Sequence, residues 1–448
     1  MATTSILKPI SREIMTDRKF GFDTQQLHAG HVVDGAVRAR AVPIYQSTSF
    51  VFKDFATAKA INAIDEFGWE YSRTGNPTND VLEQRLAALE GGTAALALAS
   101  GMAATTYAVL NVAAAGDEIV ASRALYGGTF SLLAHTLPKH GIQTAFADPD
   151  QPESFKAAIT DKTKAILIET IGNPGANLID VEAIARIAEQ AGVPLIVDNT
   201  FATPFLFRPF EHGANVVVHS TTKYIGGHGN SIGGVIVDGG NFNWANGKFP
   251  SFTTPDPALE GMVHWDRWGN FPGIGNFAFV MKARLQYLRD MGACLSPFNA
   301  FLLLMGLETL SFRVERQVKT AQRIAEFLEA HPDVEEVSYP GLASSRYHAL
   351  AQRLLPKGAG AIFSFAVKGG EARAAKLVEA VKVFSFLANV GDSKSLIVHP
   401  ATITHAQLDA DQKRDAGITP ATLRISIGTE DPDDLIWDLE QALAASRI

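Results

Sequence analysis

Short apolar segments alternate with helical segments from about residue 76 onward, and this alternation restricts the fold more than any other feature of the chain. The apolar segments have the length of buried strands, and helical patterns such as VEAIARIAEQAG lie between several of them. Because strands that alternate with helices pair in one direction, the pattern predicts an α/β fold with a mostly parallel sheet covered on both faces. The predicted strands are TAALALAS, DEIVAS, QTAFA, KAILIET, VPLIVDN and NVVVHS.

The 448 residues exceed what a single core usually holds, and the sequence divides into three regions. Residues 1–65 are rich in turn formers and predict an irregular arm. Residues 66–290 carry the alternating pattern and predict the large domain, in which a turn-rich stretch at about 238–275 predicts an inserted surface excursion. Residues 291–448 predict a smaller C-terminal α+β domain.

The C-terminal region begins with long helical patterns. Ser296 is a predicted N-cap, and Pro297 then takes the first helical position. Two strand-like segments, GAIFSFAV and LRISIG, follow before a last helix that is predicted to start after Asp431. Helices and strands are therefore mixed in this region without the regular alternation of the large domain.

Charge and cysteine content exclude several classes of protein. The net charge is −8, from 39 basic and 47 acidic residues, so neither nucleic acid nor an anionic membrane is an expected partner. The one cysteine, Cys294, leaves no intramolecular disulfide and fits a reducing compartment. The first residues lack an apolar signal region, and no apolar run approaches the ~20 residues that span a bilayer. We expect a cytoplasmic protein that acts on small molecules.

Three chemically distinct features follow three of the predicted strands. PLIVD ends in Asp198, NVVVHS ends shortly before Lys223, and ALALAS runs into Gly101 and Met102 at a helix start. Because the carboxyl ends of parallel strands lie at one edge of a sheet, we expect these groups to share one site.

A carboxylate, an amine and a helix N-terminus together suit pyridoxal phosphate. The amine forms a Schiff base with the cofactor aldehyde, and the carboxylate keeps the pyridine nitrogen protonated. The free N–H groups of the helix start bind phosphate, to which Ser220 and Thr222 add hydroxyl donors. Each feature alone is common, since a strand-end aspartate usually caps a turn and a lone lysine is usually solvated.

Two other kinds of site are disfavoured. GGHGNSIGG resembles a glycine-rich nucleotide loop, but it lacks the early strand–turn–helix setting of a dinucleotide fingerprint. The histidine pairs His28 with His31 and His399 with His405 are not accompanied by carboxylates at helical ligand spacing, so no metal site is expected.

Beyond these features, the chain resembles the Cys/Met-metabolism family of pyridoxal-phosphate enzymes, from about residue 20 to 445. This resemblance implies the aspartate-aminotransferase fold, fold type I. Within the family the chain is most similar to the O-acetylhomoserine sulfhydrylases, because of FNWANGKFPSFTTPDP and RLLPKGAGAIFSF. The family motifs are YSRTGNPT, ASGMAA, YGGT, VDNTFATP, HSTTKYIGGH, GDSKSLIVHPA and LRISIGTED.

The resemblance assigns the cofactor site residue by residue. Lys223 would form the Schiff base, Asp198 would pair with the pyridinium nitrogen, and Tyr126 would stack on the ring. Asn173 would contact the ring hydroxyl or the substrate. The phosphate would be bound by Gly101, Met102, Ser220 and Thr222.

The resemblance also implies a substrate anchor and a partner subunit. Arg424 would bind the substrate α-carboxylate bidentately, with Ser393 nearby. Tyr71 and Arg73 would reach the phosphate of the neighbouring subunit's cofactor, and the arm would contact that subunit. An obligate dimer follows, and the family usually pairs two such dimers in a tetramer.

The implied reaction is γ-replacement of the acetate of O-acetyl-L-homoserine by sulfide or methanethiol, with Lys223 as base and Tyr126 as proton relay. Methionine γ-lyase, cystathionine γ-synthase and O-succinylhomoserine sulfhydrylase activities remain alternatives on the same residues. So do a non-catalytic cofactor-binding protein and a cofactor-free Schiff-base lyase. Residues 258–261 read ALEG where an aromatic-His-Gly is expected, which leaves the thiol and the acyl group open.

Overall fold

A computed structural model describes residues 20–33, 35–406, 413 and 417–447 of the chain. Residues 1–19, the start of the predicted arm, lie outside this range. No helix in the described part is long and apolar enough to cross a membrane.

The large domain is built on a seven-stranded sheet in the order β1-β7-β6-β5-β4-β2-β3. Neighbours from β6 to β3 pair in parallel, whereas β7 pairs antiparallel with both β6 and β1. Six strands therefore share one direction, which confirms the predicted, mostly parallel sheet. The strands are β1 (Ala94–Leu98), β2 (Glu118–Ser122), β3 (Gln143–Ala147), β4 (Thr163–Glu169), β5 (Leu195–Asp198), β6 (Val216–His219) and β7 (Gly234–Asp238).

Helices cover both faces of this sheet. Successive residues of β1 alternate between two cores: Ala95 and Ala97 pack in the core that includes α3, while Leu96 and Leu98 pack in the core that includes α4. The helices of this part are α1 (Phe22–His28), α2 (Phe55–Asn62), α3 (Pro77–Glu90), α4 (Gly101–Leu110), α5 (Gly127–Ser131), α6 (Pro152–Ala158), α7 (Val181–Ala191), α8 (Thr203–Leu206), α9 (Pro250–Thr253), α10 (His264–Trp268), α11 (Ala278–Lys282) and α12 (Arg289–Met291). Shorter 3₁₀ or π segments are Leu132–Thr136, Leu137–His140, Pro209–His212, Pro257–Leu259 and Ala283–Leu288.

The helix after β1 is shorter than its sequence predicts. The helical pattern extends to Gly116, but α4 ends at Leu110. The next residue, Asn111, donates a side-chain hydrogen bond to the carbonyl of Phe279 at 2.9 Å. This tertiary contact outweighs the helical propensity of the alanines that follow.

The C-terminal domain holds a second, five-stranded sheet in the order β10-β11-β12-β9-β8. Its helices and strands are α13 (Pro297–Leu307), α14 (Leu310–Ala330), β8 (Val334–Ser338), α15 (His348–Leu354), β9 (Ile362–Val367), α16 (Gly370–Ala380), β10 (Ser385–Phe386), β11 (Leu396–Val398), β12 (Thr422–Ser426) and α17 (Pro432–Ala445). Pro297 is the first residue of α13 as predicted, but the side chain of Ser296 makes no capping hydrogen bond. The predicted boundary at residue 290 falls inside α12 and stays a prediction.

Most residues of the turn-rich insertion at 241–260 are exposed, but aromatic side chains anchor it in the core, and its assignment as an insertion stays a prediction. Trp244, Phe249 and Phe252 are fully buried. The ring of Trp244 stacks on Phe252 at a centroid distance of 4.6 Å and on Phe279 at 5.1 Å. Turn formers predict surface loops, but they do not reveal that aromatic residues between them pack against α11.

The described part of the arm packs on its own chain at its start. The buried side chain of Gln26 in α1 donates to Ser311 Oγ at 2.9 Å and accepts from the Ser311 N–H at 3.2 Å. Phe22 contacts Phe205 edge to face at 5.4 Å. The arm's contact with a neighbouring subunit stays a prediction for the residues that follow α1.

A substitution at Gly234, the first residue of β7, tests whether β7 must lie this close to the end of β1. A Cβ at this position would overlap the backbone carbonyl of Ser100, where β1 leads into α4. We expect Gly234→Ala to lower the free energy of unfolding by about 1–3 kcal/mol. The measurement is the thermal midpoint, with Gly35→Ala as the control, since a Cβ there meets no atom. Equal midpoints for the two variants would contradict the expectation.

Candidate active site

A cavity of about 590 Å³ opens where the carboxyl ends of β1, β5 and β6 meet. It is lined from one side by the large domain and from the other by residues of the C-terminal domain, including Asn389 and Arg424. The sheet topology thus brings the ends of β1, β5 and β6 together, as the sequence predicts. The lining includes these predicted site residues: Gly101, Met102, Tyr126, Asn173, Asp198, Ser220, Thr222, Lys223 and Arg424.

One end of the cavity is shaped for a compact anion. Gly101 and Met102 are the first residues of α4, whose leading N–H groups lack partners within the helix. Ser100 caps this helix by accepting from the Ala103 N–H at 3.1 Å. A Cβ on Gly101 would lie only 2.6 Å from the Cβ of Ser220, so only glycine lets these two backbones come so close.

Two carboxyl groups, one buried and one half-buried, line the cavity. Glu169 and Asp198 are register partners at the ends of β4 and β5. Asp198 Oδ1 accepts from the hydroxyl and the N–H of Thr200 at 2.5 and 3.0 Å, and Glu169 Oε1 accepts from the Tyr126 N–H at 2.6 Å. No basic side chain forms an ion pair with either carboxyl among the described residues.

Burial and the mutual repulsion of like charges both oppose the ionisation of this carboxyl pair. Burial, then the charge of Asp198, raises the pKa of Glu169 well above its usual value. Burial also raises the pKa of Asp198, but the two donors of Thr200 oppose that rise. The hydrogen bonds from Thr200 thus favour the charged form of Asp198, whereas burial favours the protonated form of Glu169. Sequence reasoning missed Glu169, although it lies next to the end of the predicted strand KAILIET, much as Asp198 ends PLIVD.

Lys223 follows β6 and turns its amine into the cavity. Its Nζ donates to Asn389 Oδ1 at 2.6 Å. Burial, then the positive charge of Arg424, lowers the pKa of Lys223 to about 8. An amine in this setting is partly neutral near neutrality, as a nucleophile or a general base requires.

Arg424 enters the cavity from β12. Its guanidinium donates from Nη1 to Asn173 Oδ1 at 2.9 Å and from Nη2 to the backbone carbonyl of Asn389 at 3.3 Å. Burial lowers its pKa to about 10, and no carboxylate is paired with it in the part of the chain that the structure describes. Arg424 is thus not an ordinary ion-pair partner within the described residues, and a buried guanidinium without a counterion suits an anionic ligand.

Tyr126 lies beside the carboxyl pair, just before α5. Its backbone is held by Glu169, and its side chain remains 47% exposed within the cavity. The ring leans on Gly128, where a Cβ would lie 2.5 Å from a ring carbon. The ring is therefore available to a ligand that binds between Tyr126 and the sheet edge.

Three predicted site residues do not line the cavity. Tyr71 is 44% exposed, and the guanidinium of Arg73 lies 5.4 Å from its ring and donates to the carbonyl of Arg289. The hydroxyl of Ser393 donates to the carbonyl of Gly227 at 2.6 Å. Within one subunit, therefore, Tyr71 is exposed, Arg73 is bonded to the backbone at Arg289, and Ser393 joins two loops.

The histidines form no metal centre in the described ranges, where no cluster of three or more histidine, cysteine or acidic side chains is found. His399 instead contacts the hydroxyl of Thr402 at 2.8 Å and the carbonyl of Pro420 at 2.9 Å.

The sequence profile of the Cys/Met metabolism PLP-dependent enzymes matches residues 23–444. The chain belongs to this family. It is 50% identical to the O-acetyl-L-homoserine sulfhydrylase of Leptospira meyeri, over 95% of this chain and 97% of that protein. It is 49% identical to the homocysteine synthase of Schizosaccharomyces pombe, over 94% and 98% of the two chains.

A solved structure of a Campylobacter jejuni protein, assigned as an O-acetylhomoserine (thiol)-lyase, matches with a TM-score of 0.91 and 42% identity. The match covers 95% of this chain and all of that one, which carries N'-pyridoxyl-lysine-5'-monophosphate. The cofactor of the family, pyridoxal phosphate, fits the present cavity chemically. The lining supplies an amine, a carboxyl group and a glycine-containing helix start, the kinds of group that its aldehyde, ring nitrogen and phosphate would need.

Asp198→Asn tests whether the carboxylate serves a cationic ring nitrogen. The amide keeps the shape and can still accept from the Thr200 N–H, but it carries no charge. We expect the cofactor to bind at least about tenfold more weakly, measured by titration of the cofactor-free protein. Asp431→Asn is the matched control, because an asparagine caps α17 as well as an aspartate does. Equal affinities for all three proteins would remove Asp198 from the cofactor site.

Proposed function

We propose that the protein catalyses γ-replacement on O-acetyl-L-homoserine. Acetate leaves from Cγ, and sulfide or a small thiol such as methanethiol takes its place to give homocysteine or methionine. One observation carries this proposal: the Lys223 amine, whose pKa is lowered, lines the same cavity as the guanidinium of Arg424, which has no counterion among the described residues. The names of the relatives, an O-acetyl-L-homoserine sulfhydrylase and a homocysteine synthase, support the same substrate and product.

Pyridoxal phosphate would be held by Lys223 and Asp198, with Tyr126 beside its ring and Asn173 at the ring hydroxyl or the substrate. When bound, it withdraws electrons from the Cα of the amino acid, which acidifies the Cα and Cβ protons. The residues proposed for its phosphate are Gly101, Met102, Ser220 and Thr222.

The protein's own groups would then orient the substrate and move its protons. Arg424 would bind the α-carboxylate, for which its two forked nitrogens are suited. This contact places Cα near the amine of Lys223, which takes the Cα proton and next assists removal of a Cβ proton. Tyr126 would relay a proton at the γ position as acetate leaves and the thiol adds.

The first experiment reconstitutes the purified protein with pyridoxal phosphate and assays homocysteine from O-acetyl-L-homoserine plus sulfide. We expect a visible absorption band from the lysine-linked cofactor, and product. Lys223→Ala should lose the band and about 10²–10⁴ of the rate, since the amine is both anchor and base. Lys156→Ala, on the exposed surface of α6, is the control.

Each other outcome points to a different function. A band without homocysteine would move the activity to elimination, to a succinyl donor or to cysteine as the acceptor. Absence of the band would contradict the cofactor site itself. The acceptor remains to be assayed directly, because Ala258 and its neighbours do not line the cavity of their own subunit.

We also propose that the active unit is a dimer in which each subunit completes the other's site, and that two such dimers form a tetramer. Tyr71 and Arg73 lie outside the cavity of their own subunit, and the same region exposes apolar side chains. Val51 is fully exposed and Phe55 is 86% exposed, which is costly unless another surface covers them.

The single Cys294 supports a reducing, cytoplasmic location.

Hybrid subunits test this sharing. Lys223→Ala and Arg73→Ala proteins are each expected to be nearly inactive alone. Mixing them, with dissociation and reassociation, should restore activity, because a hybrid dimer has one site with both residues intact. No recovery, with hybrid formation verified by distinct affinity tags, would show that Arg73 does not act across the interface.

A further inference from the structure

The position of the Lys223 amine is set by a residue of the other domain. Asn389 lies in the segment after β10, and its Oδ1 accepts from Lys223 Nζ at 2.6 Å. Its backbone carbonyl accepts from Arg424 Nη2 at 3.3 Å. One residue therefore contacts both the proposed base and the proposed carboxylate anchor.

The segment that carries Asn389 is pressed against the Lys223 turn. Gly391 has a φ of +74°, and a Cβ there would lie 2.6 Å from the backbone nitrogen of Tyr224. The Gly391 N–H donates to Ser426 Oγ at 2.9 Å. Two residues further on, the N–H and hydroxyl of Ser393 both donate to the carbonyl of Gly227, at 2.8 and 2.6 Å. These bonds hold the Asn389 backbone in a fixed place relative to Lys223.

We propose that Asn389 is a positioning residue. It holds the amine of Lys223 toward the substrate Cα once the substrate has displaced that amine from the cofactor, and it leaves enough of the amine in the neutral form to act as a base. This inference rests on the proposed role of Lys223 as the base in γ-replacement.

The carboxamide is suited to this task because it accepts a hydrogen bond without carrying a charge. A carboxylate at the same distance would also orient the amine, but it would stabilise the ammonium form and remove the lone pair that takes the proton. The ionisable groups that line the cavity with Lys223 are Tyr126, Glu169, Asp198 and Arg424. Burial and the charge of Arg424 lower the pKa of Lys223 to about 8, and the neutral tether does not oppose them.

Two nearly isosteric variants separate orientation from charge. Asn389→Asp keeps the acceptor and adds a negative charge, whereas Asn389→Leu keeps the volume and removes the acceptor. Asn243→Asp is the matched control, because Asn243 is exposed and its Oδ1 accepts only from a nearby backbone N–H, that of Ala245 at 3.0 Å, a bond that an aspartate preserves.

The first readout needs no substrate. In the full-length protein freed of cofactor, the pH dependence of Lys223 acetylation by acetic anhydride, followed by mass spectrometry, reports the pKa of the amine, since only the neutral form reacts. We expect Asn389→Asp to raise that pKa by at least about one unit, a tenfold change in the proton affinity, while Asn243→Asp leaves it unchanged. An unshifted pKa in Asn389→Asp would overturn the proposal, whatever reaction the enzyme catalyses.

The second readout uses the holoenzyme. In Asn389→Asp the acid limb of the kcat profile should move to higher pH, because a raised pKa leaves less neutral amine at a given pH. In Asn389→Leu we expect kcat to fall about tenfold or more while KM changes less than about threefold, since the backbone carbonyl that contacts Arg424 is retained. An unchanged kcat in Asn389→Leu would contradict the proposal even if the Asp variant failed to fold. If Asn389→Asp raises the pKa of Lys223 as expected, but neither the unmodified enzyme nor any variant forms homocysteine, only the proposed function would be contradicted.

Discussion

The close approach of β1, β7 and β6 is the constraint on which the site depends. Because β7 runs opposite to its two neighbours, β1 and β6 point the same way and their carboxyl ends meet across it. Gly234 at the start of β7 and Gly101 at the start of α4 leave out the side chains that would hold these ends apart. Without that approach, the helix start and the Lys223 turn would not share a cavity.

The charges in the cavity form a second level of organisation. Arg424 is buried and Asp198 and Lys223 are half-buried, and among the described residues none has an ion-pair partner of opposite charge. The chain holds them with neutral groups instead: the hydroxyl of Thr200, and the side-chain amides of Asn173 and Asn389. Neutral partners orient a charged group without neutralising it. A ligand that carries the complementary charges can therefore form the ion pairs that the protein does not form within itself.

The two domains meet at these same residues. Lys223 comes from the large domain, whereas Asn389 and Arg424 come from the C-terminal domain. The bonds between Ser393 and Gly227 join the loops on which the base and its tether lie. Ser393, predicted beside the substrate, thus lies in the seam between the domains within this chain.

The sequence by itself determined the strand–helix alternation, the direction of most strands and the three strand-end groups that share the cavity, because periodicity and strand-end chemistry are local properties. It did not reveal β7, whose segment follows a glycine-rich turn, nor the buried aromatic residues of the insertion, whose turn formers hide their contacts with α11. Only the tertiary structure decided that Glu169 shares the site with Asp198, that Asn389 touches Lys223, and that Tyr71 and Arg73 lie outside the cavity of their own subunit. Those facts depend on the pairing of strands and domains distant in the chain, and no local pattern of residues specifies it.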